Sequence, residues 1–294
     1  VAKAHRDADI HLHDLSMLTG YCAGWSLKQL IQEGLGGVPG KITSKPASHL
    51  SSLCNQMVNF LGIMQNEWAG AQAFSSFDTY LAPFVKADNL TYEETKQCVE
   101  SFVFGVNTPS RWGTQAPFSN ITLDWVCPAD LRDQPAIVGG KEMDFTYGDC
   151  KVEMDMVNKA FIEIMIEGDA NGRGFQYPIP TYSITRDFDW SETENNRLLF
   201  EMTSKYGTPY FSNYINSDME PSDVRSMCCR LRLDLRELRK KSGGFFGSGE
   251  STGSIGVVTI NMPRLAYLSA DEADFYRRLD HLMDVSARSL HTKR

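Results

Sequence analysis

An α/β layer or barrel built of crossover units is the fold class that the sequence predicts. Three observations predict it. Helix-period segments and strand-like segments alternate at roughly thirty- to fifty-residue intervals. The 294 residues are 42% hydrophobic and 22% charged, an ordinary globular balance that can fill a sizeable core. No low-complexity tail or obvious linker interrupts the pattern, so residues 1–294 are read as a single domain.

The elements follow in order. Asp9-Ile-His-Leu-His-Asp14 alternates apolar and polar residues, the period of a strand, and the extended run continues to Cys22. Ser26 to Glu33 reads as a short helix and Gly34 to Gly40 as a loop. Ser48 to Ala73 carries Leu50, Leu53, Met57, Phe60, Leu61, Met64 and Trp68 at helical spacing, with Pro46 ahead of it as a start signal. Thr91-Tyr-Glu-Glu94 is a capping-box pattern and opens a helix that runs to Phe104. Asn107 to Trp125 is turn-rich and then strand-like. Asp149 to Glu167 is a helix stopped by the turn Gly168 to Gly174, with a strand from Phe175 to Ile184 after it. A helix from Glu192 to Tyr206, a strand from Tyr210 to Ile215, a strand-like run from Val257 to Pro263 and a helix from Ala270 to Leu290 complete the chain. Strands are therefore expected to end near Cys22, Asp124, Ile184, Ile215 and Pro263.

Charge and cysteine usage exclude several function classes. The formal net charge is −8, and Arg239-Lys240-Lys241 is the longest basic run, so a nucleic-acid polymer is not an expected partner. No apolar stretch approaches the ~20 residues of a membrane span. The seven cysteines are an odd, scattered set without a C-x-x-C, which fits neither a secreted disulfide framework nor a zinc site. A reducing, cytoplasmic compartment is expected. The chain begins at Val1-Ala-Lys-Ala without a methionine and stops at His291-Thr-Lys-Arg294 directly after a helical pattern, which predicts a piece of a longer enzyme.

Among the cysteines, the pair Cys228-Cys229 stands out. Neighbouring Cα atoms lie ~3.8 Å apart, too close for an unstrained disulfide at roughly 4.4–6.8 Å. Adjacent side chains of an extended segment face opposite ways, so one thiol can address a site while the other faces scaffold. Arg230 beside them could favour a thiolate. Gly249-Glu-Ser-Thr-Gly-Ser254 resembles part of a phosphate loop but lacks the lysine and precedes a strand rather than a helix, so a nucleoside-triphosphatase reading fails. His11 and His13 sit on one face of a strand; with no third ligand nearby the favoured reading is a hydrogen-bonded strand pair with His13 lining a pocket, and no metal is expected. Cys22 lies at a strand-to-helix edge, where α/β proteins bind ligands. Ser119 and Asn120 are ligand-lining candidates. Cys54 and Cys98 fall inside amphipathic helices and are read as core; Cys127 and Cys150 flank a loop.

Several runs then point to a family. Asp9-Ile-His-Leu-His-Asp-Leu15, Gly20-Tyr-Cys-Ala-Gly24, Gln65-Asn-Glu-Trp-Ala-Gly70, Pro117-Phe-Ser-Asn120, Met227-Cys-Cys-Arg230 and Val257-Val-Thr-Ile-Asn-Met-Pro263, in that order, resemble the large chain of the anaerobic (class III) ribonucleoside-triphosphate reductases. The resemblance implies part of a ten-stranded α/β barrel, two antiparallel half-barrels around a central finger loop. It implies radical removal of the ribose 2′-hydroxyl from ribonucleoside triphosphates. Cys229 matches the thiyl cysteine that abstracts the 3′-hydrogen, and Cys22 the cysteine that supplies reducing equivalents, with Cys54 as fallback. His13, Ser119, Asn120, Cys228, Ser254 and Ile255 are the expected substrate-lining residues. The radical source implied is a glycyl radical, installed by an S-adenosylmethionine iron–sulfur activase in a C-terminal part that this sequence does not contain; an N-terminal nucleotide-binding regulatory module is likewise expected elsewhere. This stretch alone is not expected to turn over. An effector nucleotide (ATP or a deoxyribonucleoside triphosphate) and a homodimer, formed through the helix Ser48–Ala73 or Thr91–Phe104, are the implied partners. Formate-dependent members carry an asparagine near the glycine-rich turn, where this chain reads Thr252-Gly-Ser-Ile-Gly256; formate and a thioredoxin-like protein both stay open as reductant. The alternatives are another glycyl-radical enzyme of the pyruvate formate-lyase type and a non-catalytic nucleotide-binding or assembly module.

Overall fold

The computed structural model describes residues 1–36, 40, 42–109, 115–221 and 252–294. In chain order the elements are α1 (Ala2–Arg6), β1 (Ile10–Leu12), β2 (Ala23–Trp25), α2 (Leu27–Glu33), α3 (Leu50–Glu67), β3 (Gln72–Phe74), α4 (Phe77–Ala87), α5 (Tyr92–Asn107), β4 (Ser119–Leu123), α6 (Ala129–Arg132), β5 (Pro135–Val138), β6 (Lys141–Thr146), α7 (Lys151–Glu167), β7 (Ile179–Ile184), α8 (Glu194–Tyr206) and β8 (Tyr210–Asn213). From residue 252 onward come β9 (Thr252–Gly253), β10 (Val258–Ile260), α9 (Met262–Leu268) and α10 (Glu272–Lys293).

The main sheet has six strands in the order β8-β7-β4-β3-β2-β9. Five of them run parallel, each joined to the next by helical crossovers, and β9 alone pairs antiparallel, against β2. Parallel neighbours with helices between them are what the alternating sequence pattern demands. This is the half-barrel arrangement of the expected fold, with the direction of the sheet reversing at the β2–β9 seam. A separate two-stranded ladder joins β1 to β10, and Ile10 there packs with Leu265, Leu282 and Val285 in a small core of its own.

Local sequence explains the helix ends. Thr91 and Glu94 form a complete capping box on α5, Ser26 caps α2 and Thr193 caps α8 by accepting from backbone N–H groups. Gly168 ends α7 at φ 77°, a left-handed conformation that costs glycine little. The large core lies between the sheet and helices α3, α4, α5, α7 and α8, and holds Phe74, Phe77, Phe84, Phe102, Phe161 and Tyr182 without solvent exposure. Burying each such side chain contributes ~1.5–3 kcal/mol.

Three expectations need correction. The helix expected over Ser48–Ala73 ends at Glu67, and Gln72–Phe74 is instead the strand β3. Cys22 does not end a strand: it stands one residue before β2, where the chain enters the sheet. The hairpin β5–β6 and helix α4 appear where neither was expected. Helix α4 escapes a periodicity search because it is apolar nearly all round, with residues 77–85 all buried and Pro83 inside it.

Candidate active site

The two faces of the sheet differ in chemistry. Register and strand alternation put Trp25, Phe74, Ile121, Tyr182 and Ile184 on the outer face, against the helices. The inner face carries Cys22, Gly24, Ala71, Ala73, Asn120, Thr122, Thr181 and Ser183. A parallel sheet packed on both faces reads as near-continuous Val, Ile and Leu. A face of small and polar side chains instead leaves room for something that makes hydrogen bonds.

Cys22 occupies the entry end of that inner face. It is buried, at 2% exposure, in a cluster with Ala71, Tyr21 and Phe118. Its sulfur accepts a hydrogen bond from the backbone N–H of Ala71 at 3.2 Å. Gly70 leaves the space the sulfur occupies: a Cβ there would lie 2.6 Å from Sγ and 2.8 Å from the Tyr21 carbonyl. From the far side of the seam Ser254 clasps the residue. Its N–H donates to the Cys22 carbonyl at 2.9 Å, its carbonyl accepts from Tyr21 N–H at 2.8 Å, and its Oγ accepts from Cys22 N–H at 3.3 Å. The Trp68 ring packs over Gly20 and Gly253, so side chains at either glycine would collide with it.

In front of Tyr21 and Gly70 opens a cavity of about 670 Å³. Its walls include His13, Gln65, Asn107, Phe118 and Tyr177, and its described lining holds no Lys or Arg. Gln65 Oε1 accepts from Phe118 N–H at 3.1 Å, and Asn107 exchanges hydrogen bonds with the backbone of Tyr177, which fixes the rim. The Phe118 and Tyr177 rings lie 5.4 Å apart. Carboxamides and the Asp14 carboxylate beside aromatic rings suit sugar hydroxyls and a base rather than phosphates.

The expected site residues separate. His13 lines this cavity and a neighbouring one, and its Nε2 lies 2.9 Å from Thr259 Oγ1, the strand-pair bond anticipated from sequence. Its ring packs on His11 at 4.7 Å, yet no group of three or more His, Cys, Asp or Glu among the described residues could hold a metal ion. Asn120 faces inward, 5% exposed, with its Oδ1 lacking a hydrogen-bond partner among the described residues. Ser119 is turned to the opposite, helix-packed face, because the strand alternates; it is not brought to Cys22. Ile255 is exposed beside the clasp formed by Ser254. Cys228 and Cys229 lie outside the described residues. Cys54 is buried in α3 within the helical core, where burial pushes its thiol far up, and it lies away from the Cys22 cluster. The Cys127 and Cys150 thiols donate to the Pro128 and Thr146 carbonyls, and burial pushes both up to about 12. Sequence reasoning missed Gln65, Gly70, Gln72 and Asn107 as site residues, although Gln65 and Gly70 stand inside a quoted motif.

At the exit end of the same face a second cavity, about 380 Å³, is lined by Asp124, Cys127, Arg132, Ser183, Arg186 and Tyr214, among others. Behind it the wholly buried Asp78 carboxylate accepts from the N–H groups of Thr79, Asp124 and Trp125 and from the Asn158 amide. Burial raises the Asp78 carboxyl above its usual range against the pull of those four donors. Thr79 Oγ1 donates to Asp124 Oδ2 at 2.6 Å, tying this carboxylate to the cavity wall.

Residues 1–294 match the sequence model of the family described as anaerobic ribonucleoside-triphosphate reductase. The chain belongs to that family. An anaerobic ribonucleoside-triphosphate reductase of Haemophilus influenzae (strain ATCC 51907 / DSM 11121 / KW20 / Rd) is 21% identical over 327 residues, covering 100% of this chain and 42% of the relative. Crystal structures of the Thermotoga maritima anaerobic ribonucleotide reductase share the fold. One, in complex with dATP and CTP, has 21% identity and a TM-score of 0.67 over 96% of this chain and 46% of that one. Another, with MES in the active site, has 19% identity and a TM-score of 0.69 over 100% and 49%. The chain therefore spans less than half the length of these members of the reductase family.

Proposed function

We propose that the chain is the substrate-side half of the catalytic barrel of an anaerobic ribonucleoside-triphosphate reductase, with Cys22 as a redox thiol. The single observation that carries this reading is the position of the Cys22 sulfur. It sits on the polar inner face, at the seam where the parallel half-sheet meets the antiparallel β9, beside a cavity sized and lined for a nucleoside. Family membership favours the reductase over the two alternatives. The Thermotoga maritima reductase binds dATP and CTP, with dATP in a specificity site, which supports a nucleotide substrate and a nucleotide effector here too.

In this reading the ribose lies in the cavity with its 2′-carbon toward Cys22. The C2′–O bond breaks, the hydroxyl leaves as water after protonation, a C2′–H bond takes its place, and the two electrons come from a pair of thiols that becomes a disulfide. Cys229 is the proposed hydrogen-abstracting cysteine, by its place before Arg230. A glycyl radical, of the kind a radical S-adenosylmethionine activase installs, would take the hydrogen atom from the Cys229 thiol and leave the thiyl there. Residue 254, which clasps Cys22, is a serine, and Cys54, Cys98, Cys127 and Cys150 lie in or against the helical core. Cys228, Cys229 and an external thiol are left as disulfide partners for Cys22; motif position favours Cys229, and the bond requires Cα atoms within roughly 7 Å. A single catalytic unit over residues 1–294, a homodimer and a cytoplasmic, reducing location complete the proposal; no described helix is long and apolar enough to cross a membrane.

The test uses the complete natural enzyme, anaerobically activated, and follows deoxyribonucleotide formation, with the glycyl-radical signal as control. Cys22→Ser and Cys229→Ser are expected to abolish turnover with the radical still formed, while Cys54→Ser and Cys228→Ala retain it. Turnover by Cys22→Ser, or its loss in Cys54→Ser with Cys22→Ser active, overturns the assignment of Cys22.

A further inference from the structure

The hydrogen bond to the Cys22 sulfur has an anchor behind it. Its donor, Ala71 N–H, belongs to the peptide group whose carbonyl is that of Gly70. A trans peptide points its N–H and C=O in opposite directions from one rigid plane. Fixing the carbonyl therefore aims the N–H. That carbonyl is held by the side chain of Gln72: its Nε2 donates to Gly70 O and to Ala71 O, both at 3.1 Å. Gln72 is itself oriented. Its Oε1 accepts from the Trp25 indole N–H at 2.7 Å, which settles which end of the amide is oxygen, since the indole only donates. Trp25 is in turn braced edge-on by Trp68 at 5.8 Å, the ring that packs over Gly20 and Gly253 on either side of Cys22.

A completely buried glutamine in a three-residue strand is an expensive choice unless its bonds are made, and here its carboxamide makes bonds at both ends. An apolar side chain would fill the same space with less desolvation. What the glutamine adds is orientation of the Gly70–Ala71 peptide.

We infer that Gln72 is a positioning residue for Cys22: by gripping the Gly70 carbonyl from the outer face it holds the Ala71 N–H on the sulfur. This inference rests on the proposed redox role of Cys22 for its functional meaning, though the hydrogen-bond relay can be tested without it. An N–H aimed at sulfur favours the thiolate and orients its lone pairs. During the proposed reaction Cys22 alternates between thiol, sulfur bonded to another sulfur, and thiolate released by the reductant. A fixed donor assists the last step, in which an external dithiol attacks the partner sulfur, the S–S bond breaks with its electron pair staying on Cys22, and the dithiol is oxidised to its own disulfide.

The experiment measures carbamidomethylation of Cys22 by iodoacetamide across a pH series, in the complete natural enzyme without activation, quantified on the Cys22 peptide by mass spectrometry. Gln72→Met keeps length and apolar volume but removes both amide ends. It is expected to slow alkylation at neutral pH about tenfold and to move the midpoint of the pH profile upward, as loss of one hydrogen bond to a charged acceptor does. Trp25→Phe, which frees Gln72 Oε1 but leaves its Nε2, shifts the midpoint in the same direction by less. An unchanged midpoint in Gln72→Met with the fold retained by circular dichroism overturns the inference. If Gln72→Met does not fold, the Trp25→Phe profile decides it by the same criterion. Failure of the redox reading is separate: it appears as turnover by Cys22→Ser, whatever the alkylation profile gives.

Discussion

The two ends of the inner sheet face solve the same problem, a buried polar group, in opposite ways. At the exit end, the Asp78 carboxylate is saturated by four donors, two of them the backbone N–H groups of Asp124 and Trp125. Those bonds help hold Trp125 at φ 65°, a left-handed conformation uncommon for a large side chain. At the entry end, the Cys22 sulfur sits behind a cavity nearly twice as large and accepts from Ala71 N–H. A carboxylate with four donors cannot change partners without unfolding its surroundings. A polarisable sulfur beside open space can. The exit end is built to hold shape, and the entry end fits the redox role proposed for Cys22.

Three substitutions break or sharpen that contrast. The largest effect is expected from Asp78→Ala, which strips partners from three buried N–H groups and the Asn158 amide. A loss of about 4 kcal/mol or more in unfolding free energy is expected from denaturant titration. A stability loss of less than about 1 kcal/mol would show that the exit end is not the rigid one. Gly70→Ala comes next. The new methyl meets Cys22 Sγ at 2.6 Å, so the sulfur or the Tyr21 carbonyl must move. The expected cost is about 1–3 kcal/mol in stability but about a hundredfold in turnover of the activated enzyme, because misplacing a reacting group is felt more strongly than overpacking. Equal, small losses in both would erase the distinction between the ends. The smallest effect is expected from Asn120→Ala. Its unpartnered Oδ1 contributes little to folding, so stability should change by less than about 1 kcal/mol, while KM for the ribonucleotide rises about three- to tenfold if that oxygen meets substrate. An unchanged KM removes Asn120 from the site.

Much of the scaffold was legible because its helices are amphipathic and capped. The Thr91 capping box, the α7 run closed by Gly168 and the α8 run all follow from side-chain spacing. Helix α4 was not legible because burial on every side erases the period that reveals a helix. Strand β3 is too short to alternate visibly. The hairpin β5–β6 did carry a signal, Gly139-Gly140 at positive φ between two β-prone runs, and that signal went unread. In the site, motif order picked out Cys22, but not that it precedes its strand. Ser119 and Asn120 could not be told apart, because which of two neighbours faces inward depends on a register set by strands 47 and 59 residues away. Gln72 was invisible for a different reason: its role depends on a peptide plane, and a peptide plane leaves no mark on side-chain pattern.

The Ser254 clasp on Cys22 also has a consequence in time. It joins residues 232 apart in sequence, and closing so long a loop costs entropy that only the intervening packing can offset. The half-sheet from β2 to β8 is made of neighbours in sequence and can assemble as the chain emerges. The seam beside Cys22 cannot close until the chain has been made as far as β9 and Ser254. The surroundings of the Cys22 thiol are thus completed after the scaffold that carries it, and an incomplete chain that stops short of residue 254 has the sheet but not the clasp.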